Sequence, residues 1–154
     1  MIERLNLHEL LGSSKGYLRA INVPDDDAAT LRQAREEIRH AIRGAFANPE
    51  TYIRKNDLFI NNAAIPTRDL ELKKPKFRLQ GSFKYETAND CQINPPQEID
   101  QDDGMFLPVG FFRSKAGVTP LIASDSYFSL VERAIEPLAQ KRGWTINYEK
   151  DTCV

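Results

Sequence analysis

Apolar positions recur along this chain with two periods, one near 3.6 residues and one of 2, and the switch between them lays out its elements. After Asp25, taken as an N-cap, Leu31, Ile38, Ala41, Ile42, Ala45 and Phe46 return at helical spacing and predict a helix to about Asn48. Its other face carries Arg32, Glu36, Arg39 and Arg43, read as a solvated mixed-charge surface. The Asp25 to Asp27 run reads as an ordinary complement to the helix dipole. A second helix is predicted from Thr119 or Ser124 to Arg142, with Phe128, Val131, Ile135, Leu138 and Ala139 as its buried stripe, Pro137 inside it and Gly143 ending it. Between the helices the period falls to 2. Phe77, Leu79, Gly81, Phe83 and Tyr85 share one parity and predict a strand interrupted at its glycine, and Ile99, Met105, Leu107 and Val109 predict a strand over Glu98 to Val109. A brief strand over Asp57 to Ile60 and another from Trp144 through Ile146 to Tyr148 complete the pattern, with Trp144 assigned to the core.

The 98–109 alternation places chemistry. Residues two apart in a strand point the same way, so Asp100 and Asp102 project together from the polar side, with Asp103 at the opposite parity. Neighbouring carboxylates repel, and a divalent cation relieves that; magnesium, which takes one or two carboxylates and fills its octahedron with water and phosphate oxygens, is the expected guest. An isolated Asp-Gln-Asp-Asp-Gly is more often an acidic turn, but here the apolar alternation continues through it. Upstream, a glycine inside a strand pattern marks close approach of a ligand, so Gly81 and Ser82 form a candidate phosphate grip. Gly-Ser alone is weak, since Gly12-Ser13 repeats it in the same chain.

Taken together, the segments Phe77 to Asn89 (FRLQGSFKYETAN) and Gln97 to Pro108 (QEIDQDDGMFLP) resemble the nucleotidyltransferase core of the cGAS/DncV-like nucleotidyltransferases, or CD-NTases. The likeness is strong over 77–108 and fainter elsewhere, from Leu5 to His8 and the helix after Asp25 to the Gly143-Trp144 turn and Thr152-Cys153. It implies an α+β fold, a polymerase-beta-like core with a mixed sheet and flanking helices, divided as a helical arm over 1–48 and a partial core over 49–154. It implies that Asp100 and Asp102 are catalytic and metal-binding, with Mg2+ or Mn2+ as cofactor, and that Gln80, Gly81, Ser82 and Tyr85 contact the nucleotide. Ribonucleoside triphosphates, ATP or GTP or both, are the implied substrates. Cyclic di- or oligonucleotides made during bacterial antiphage (CBASS) signalling are the implied products.

One departure stands out. The family's third catalytic aspartate lies beyond the position matching Cys153, so the chain reads as the N-terminal portion of a longer enzyme, inactive by itself. Asp125, near a helix start, and Asp151, at the end, are the only later aspartates. Competing readings are a minimal toxin-like nucleotidyltransferase acting on protein or tRNA, and a noncatalytic fragment self-associating through surface exposed by truncation.

Composition narrows the classes. The chain has 154 residues, 28% of them charged, with a net charge of −1, which argues for a single ordinary domain and against broad capture of nucleic acid. The sequence shows no signal peptide or membrane-spanning run, and Cys91 and Cys153 lack metal-ligand spacing, as expected of free thiols in a cytoplasmic protein. His8 and His40 have no nucleophile motif beside them.

Overall fold

A computed structural model describes residues 22–58, 74–89, 98–107 and 124–148. In chain order these form helix α1 (Asp25–Ala47), the short helix α2 (Pro49–Tyr52), a 3-10 turn (Lys55–Asp57), strand β1 (Lys76–Leu79), helix α3 (Gly81–Tyr85), strand β2 (Asp103–Phe106) and helix α4 (Ser124–Arg142). The chain divides into two compact units, Met1–Gln33 with Arg78–Gly104, and Ala34–Phe77 with Met105–Val154. Among the described residues, no helix is long and apolar enough to cross a membrane.

The second unit holds the main core. Ile42 and Phe46 of α1, Ile53, Leu58, and Leu130, Val131 and Ile135 of α4 are buried together, with Phe77, Met105, Leu107, Tyr127 and Ile146 packed against them. Both helices bury the apolar stripe that their 3.6-residue spacing predicts. The stripe on α4 runs through Leu130, Val131, Ala134, Ile135 and Ala139, while Phe128 and Leu138 are only half-buried. Pro137 lies inside the helix and Gly143 closes it at φ +70, the left-handed conformation that suits glycine.

Several expectations are corrected. The Pro24 carbonyl accepts the Ala28 N–H at 2.9 Å and α1 starts at Asp25, so Asp25 sits inside the first turn beside Asp26 and Asp27 instead of capping it. The polar face of α1 is not simply solvated: the guanidinium groups of Arg39 and Arg43 lie 5.5 and 5.0 Å from the centroid of the Phe77 ring. Asp57 to Leu58 form a 3-10 turn and an isolated bridge residue instead of a strand, because Asp57 turns back to accept the Arg54 N–H at 2.7 Å; residues 59 and 60 lie outside the described part. No strand forms over Trp144 to Tyr148. The Trp144 N–H is drawn back to the Ala139 carbonyl at 2.9 Å, and Trp144 and Tyr148 are exposed at 37% and 58%. His40 is exposed on α1. His8, Cys91, Asp151 and Cys153 fall outside the described residues.

Two ion pairs brace the second unit. Asp57, only 9% exposed, accepts Arg133 at 2.7 Å with the same oxygen that takes the Arg54 N–H. Arg142 at the end of α4 grips both carboxylate oxygens of Glu37. Glu37 holds that guanidinium more firmly charged than usual, through the hydrogen bond first and the charge attraction second.

Candidate functional site

The candidate site lies in the first unit and begins where β1 ends. Lys76 and Arg78 are exposed while Phe77 and Leu79 are half-buried, so the strand leaves with the predicted parity. It does not continue to Tyr85. Gly81 adopts φ +62, which breaks the extended course, and residues Gly81–Tyr85 wind into α3.

The aspartates meet this corner directly. The Gln80 N–H donates to the Asp102 carbonyl at 2.9 Å, so the residue after β1 pairs with the residue before β2 and the two strands run antiparallel. A side chain at Gly81 has no room: a β-carbon there would lie 3.1 Å from Asp102 Cγ and 3.4 Å from its Cβ, with carboxylate oxygen Oδ2 nearer still. The Asp102 carboxylate thus lies against the bare α-carbon of Gly81. Glycine is required here twice over, by its backbone angle and by this approach.

The second strand is shorter than its pattern suggests. Regular pairing covers Asp103–Phe106 only, so Asp100 and Asp102 precede it, and residues 108 and 109 lie outside the described part. The alternation nevertheless starts earlier. Glu98, Asp100 and Asp102 are exposed while Ile99, Gln101 and Asp103 are half-buried, which puts Asp100 and Asp102 on one side. Among the described residues neither of these two carboxylates has an ion-pair partner, and no group of three or more His, Cys, Asp or Glu gathers as a metal cluster.

Beyond the corner, Ser82 is half-buried and Tyr85 is 75% exposed at the far end of α3. The helix closes on Glu86, which takes the left-handed conformation at φ 57, with the Ser82 carbonyl accepting the N–H groups of both Glu86 and Thr87. Three residues on, Asn89 bridges antiparallel to Asn22. The geometry brings Gln80, Gly81 and Asp102 together, sets Asp100 on the exposed side with Asp102, and leaves Tyr85 open to solvent one helical turn from Ser82. Sequence patterning misses the left-handed Glu86, since glycine or asparagine is the usual signal for that conformation.

Likeness to solved structures gives the chain that carries this glycine corner an α+β nucleotidyltransferase fold. An Escherichia coli DncV structure in its 3'-deoxy GTP bound form matches with a TM-score of 0.65 and 21% identity, over 95% of this chain and 46% of that one. A Vibrio cholerae DncV structure, 3'-deoxy ATP bound, matches with a TM-score of 0.66 and 21% identity, over 92% and 45%. Residues 75–154 match the family described as "Cyclic GMP-AMP synthase DncV-like, nucleotidyltransferase domain", and the chain belongs to that family. Cyclic GMP-AMP synthase of Escherichia coli is 38% identical over 81 residues, which is 52% of this chain and 17% of that protein. The Vibrio cholerae enzyme is 38% identical over 80 residues. The chain therefore spans less than half the length of the solved relatives it matches.

Proposed function

We propose that this chain carries the phosphate-gripping and carboxylate part of a nucleotidyl-transfer site that builds cyclic di- or oligonucleotides from ribonucleoside triphosphates, in bacterial antiphage (CBASS) signalling. One observation carries the reading: the Asp102 carboxylate lies against Gly81, so a phosphate held at the Gly-Ser corner adjoins that carboxylate. Gln80, Gly81 and Ser82 hold the triphosphate, and Tyr85 offers its exposed ring to the nucleotide.

The donor set suits a hard divalent cation, Mg2+ or Mn2+. Two exposed carboxylates without counter-charges among the described residues provide a minority of an octahedral shell and leave the remainder for phosphate and water. A cation bound by Asp100 and Asp102 supplies charge neutralisation for the triphosphate and its departing pyrophosphate. The protein's own contribution is positional. The corner fixes the phosphates so that a 3′- or 2′-hydroxyl approaches the α-phosphate in line with the leaving pyrophosphate.

Ligand-observed NMR titration of ATP and GTP, with and without magnesium, tests this. Magnesium should tighten binding, and Asp102→Asn should remove that gain, on the order of tenfold or more. Magnesium-independent binding untouched by the substitution contradicts the site. With Asp100 and Asp102 as the proposed donors, the 154-residue chain is expected to form no cyclic product from the four ribonucleoside triphosphates. A cyclic product abolished by Asp100→Ala overturns that expectation.

A further inference from the structure

We propose that Glu86 selects the base of the bound nucleotide and favours guanine, an inference that rests on the nucleotide reading of the Gly81 corner. Glu86 is the sole non-glycine residue with positive φ among the described residues. It caps α3, where glycine would relieve the backbone, and its side chain is exposed with no hydrogen-bond or ion-pair partner among the described residues. Strain held at such a position by a chargeable side chain, without a compensating contact among the described residues, points to a ligand.

Placement says which part of the ligand. Glu86 lies four positions beyond Ser82, a rise of about 6 Å in helical geometry. That carries the chain from the phosphate grip, past the sugar, towards the base. Tyr85, 75% exposed, precedes Glu86 and presents an open aromatic face on which a purine stacks. A carboxylate beside a stacked purine discriminates by hydrogen bonding: it accepts both the N1–H and the exocyclic N2–H of guanine side by side, whereas adenine opposes it with the N1 lone pair.

Saturation-transfer NMR titrations of the 154-residue chain with GTP and ATP in magnesium give the test, using wild type, Glu86→Gln and Glu86→Gly. Wild type should prefer GTP by roughly tenfold, the discrimination expected of one bidentate contact to a base. Glu86→Gln should lose that preference through weaker GTP binding, with ATP binding held or improved. Glu86→Gly should lose it too while melting no lower than wild type, which separates base reading from misfolding. Equal affinities in wild type, or a GTP preference that survives both substitutions, overturn the role of Glu86 and leave the corner site standing. Wild type that binds neither GTP nor ATP overturns both.

Discussion

At Gly81 the absence of a side chain is what lets the Asp102 carboxylate lie against the backbone. A methyl group there would press on the Asp102 carboxyl group and hold a β-carbon at φ +62, so Gly81→Ala should weaken magnesium-dependent nucleotide binding at least tenfold and cost about 1–3 kcal/mol in a thermal melt. Gly44 is the control. It lies within α1 with open space where its β-carbon would go, so Gly44→Ala should leave binding alone and raise stability by about 0.5–1 kcal/mol. Equal effects of the two changes contradict the assignment of Gly81. At this scale the sequence is readable where period-2 exposure governs, as for Asp100 and Asp102. It is silent where the backbone departs from residue preference, as at Glu86, because local composition carries no record of strain.

At the scale of elements, α1 and α4 follow from apolar spacing because their stripes meet one core, and β1 keeps its parity as far as Leu79. Charged positions are harder to read. Arg39, Arg43 and Arg142 sit on exposed-looking faces, yet their partners, Phe77 and Glu37, are distant in sequence and no periodicity announces them. Asp57 makes the same point with a cost attached. Removing it leaves Arg133 without its carboxylate and frees the Arg54 N–H, so Asp57→Ala should lower unfolding free energy by about 2–4 kcal/mol in urea titrations. Asp57→Ala with Arg133→Met should recover part of that loss, since the stranded charge is gone. A double variant less stable than Asp57→Ala contradicts the pairing.

For the whole molecule, the second unit supplies the largest packed core described, and Tyr127 couples that core to pH. Its ring meets Phe46 edge-on at 6.5 Å and Phe128 at 5.7 Å, and burial pushes its phenol up to about 12 from the ordinary 10.0. A group whose folded pKa is raised contributes stability that is fully present below the unfolded value and is lost as pH climbs through the folded one. Stability should therefore hold to about pH 10 and decline towards pH 12, and Tyr127→Phe should flatten that decline in alkaline melts. A profile unchanged by Tyr127→Phe contradicts it. The strand forecast at Trp144 failed for a reason visible at this scale: alternation shows which residues could face a core, and the core here is completed without that segment pairing.

The most direct test of the central claim, a shared cation and nucleotide at the Gly81 corner, is paramagnetic broadening by Mn2+ of the amide spectrum of the 15N-labelled chain bound to a nonhydrolysable GTP analogue. The account predicts that signals of Gln80 to Ser82 and Asp100 to Asp102 broaden first and together, and that Asp100→Asn with Asp102→Asn abolishes the effect. Broadening centred on the acidic first turn of α1, or spread evenly over the chain, would contradict it.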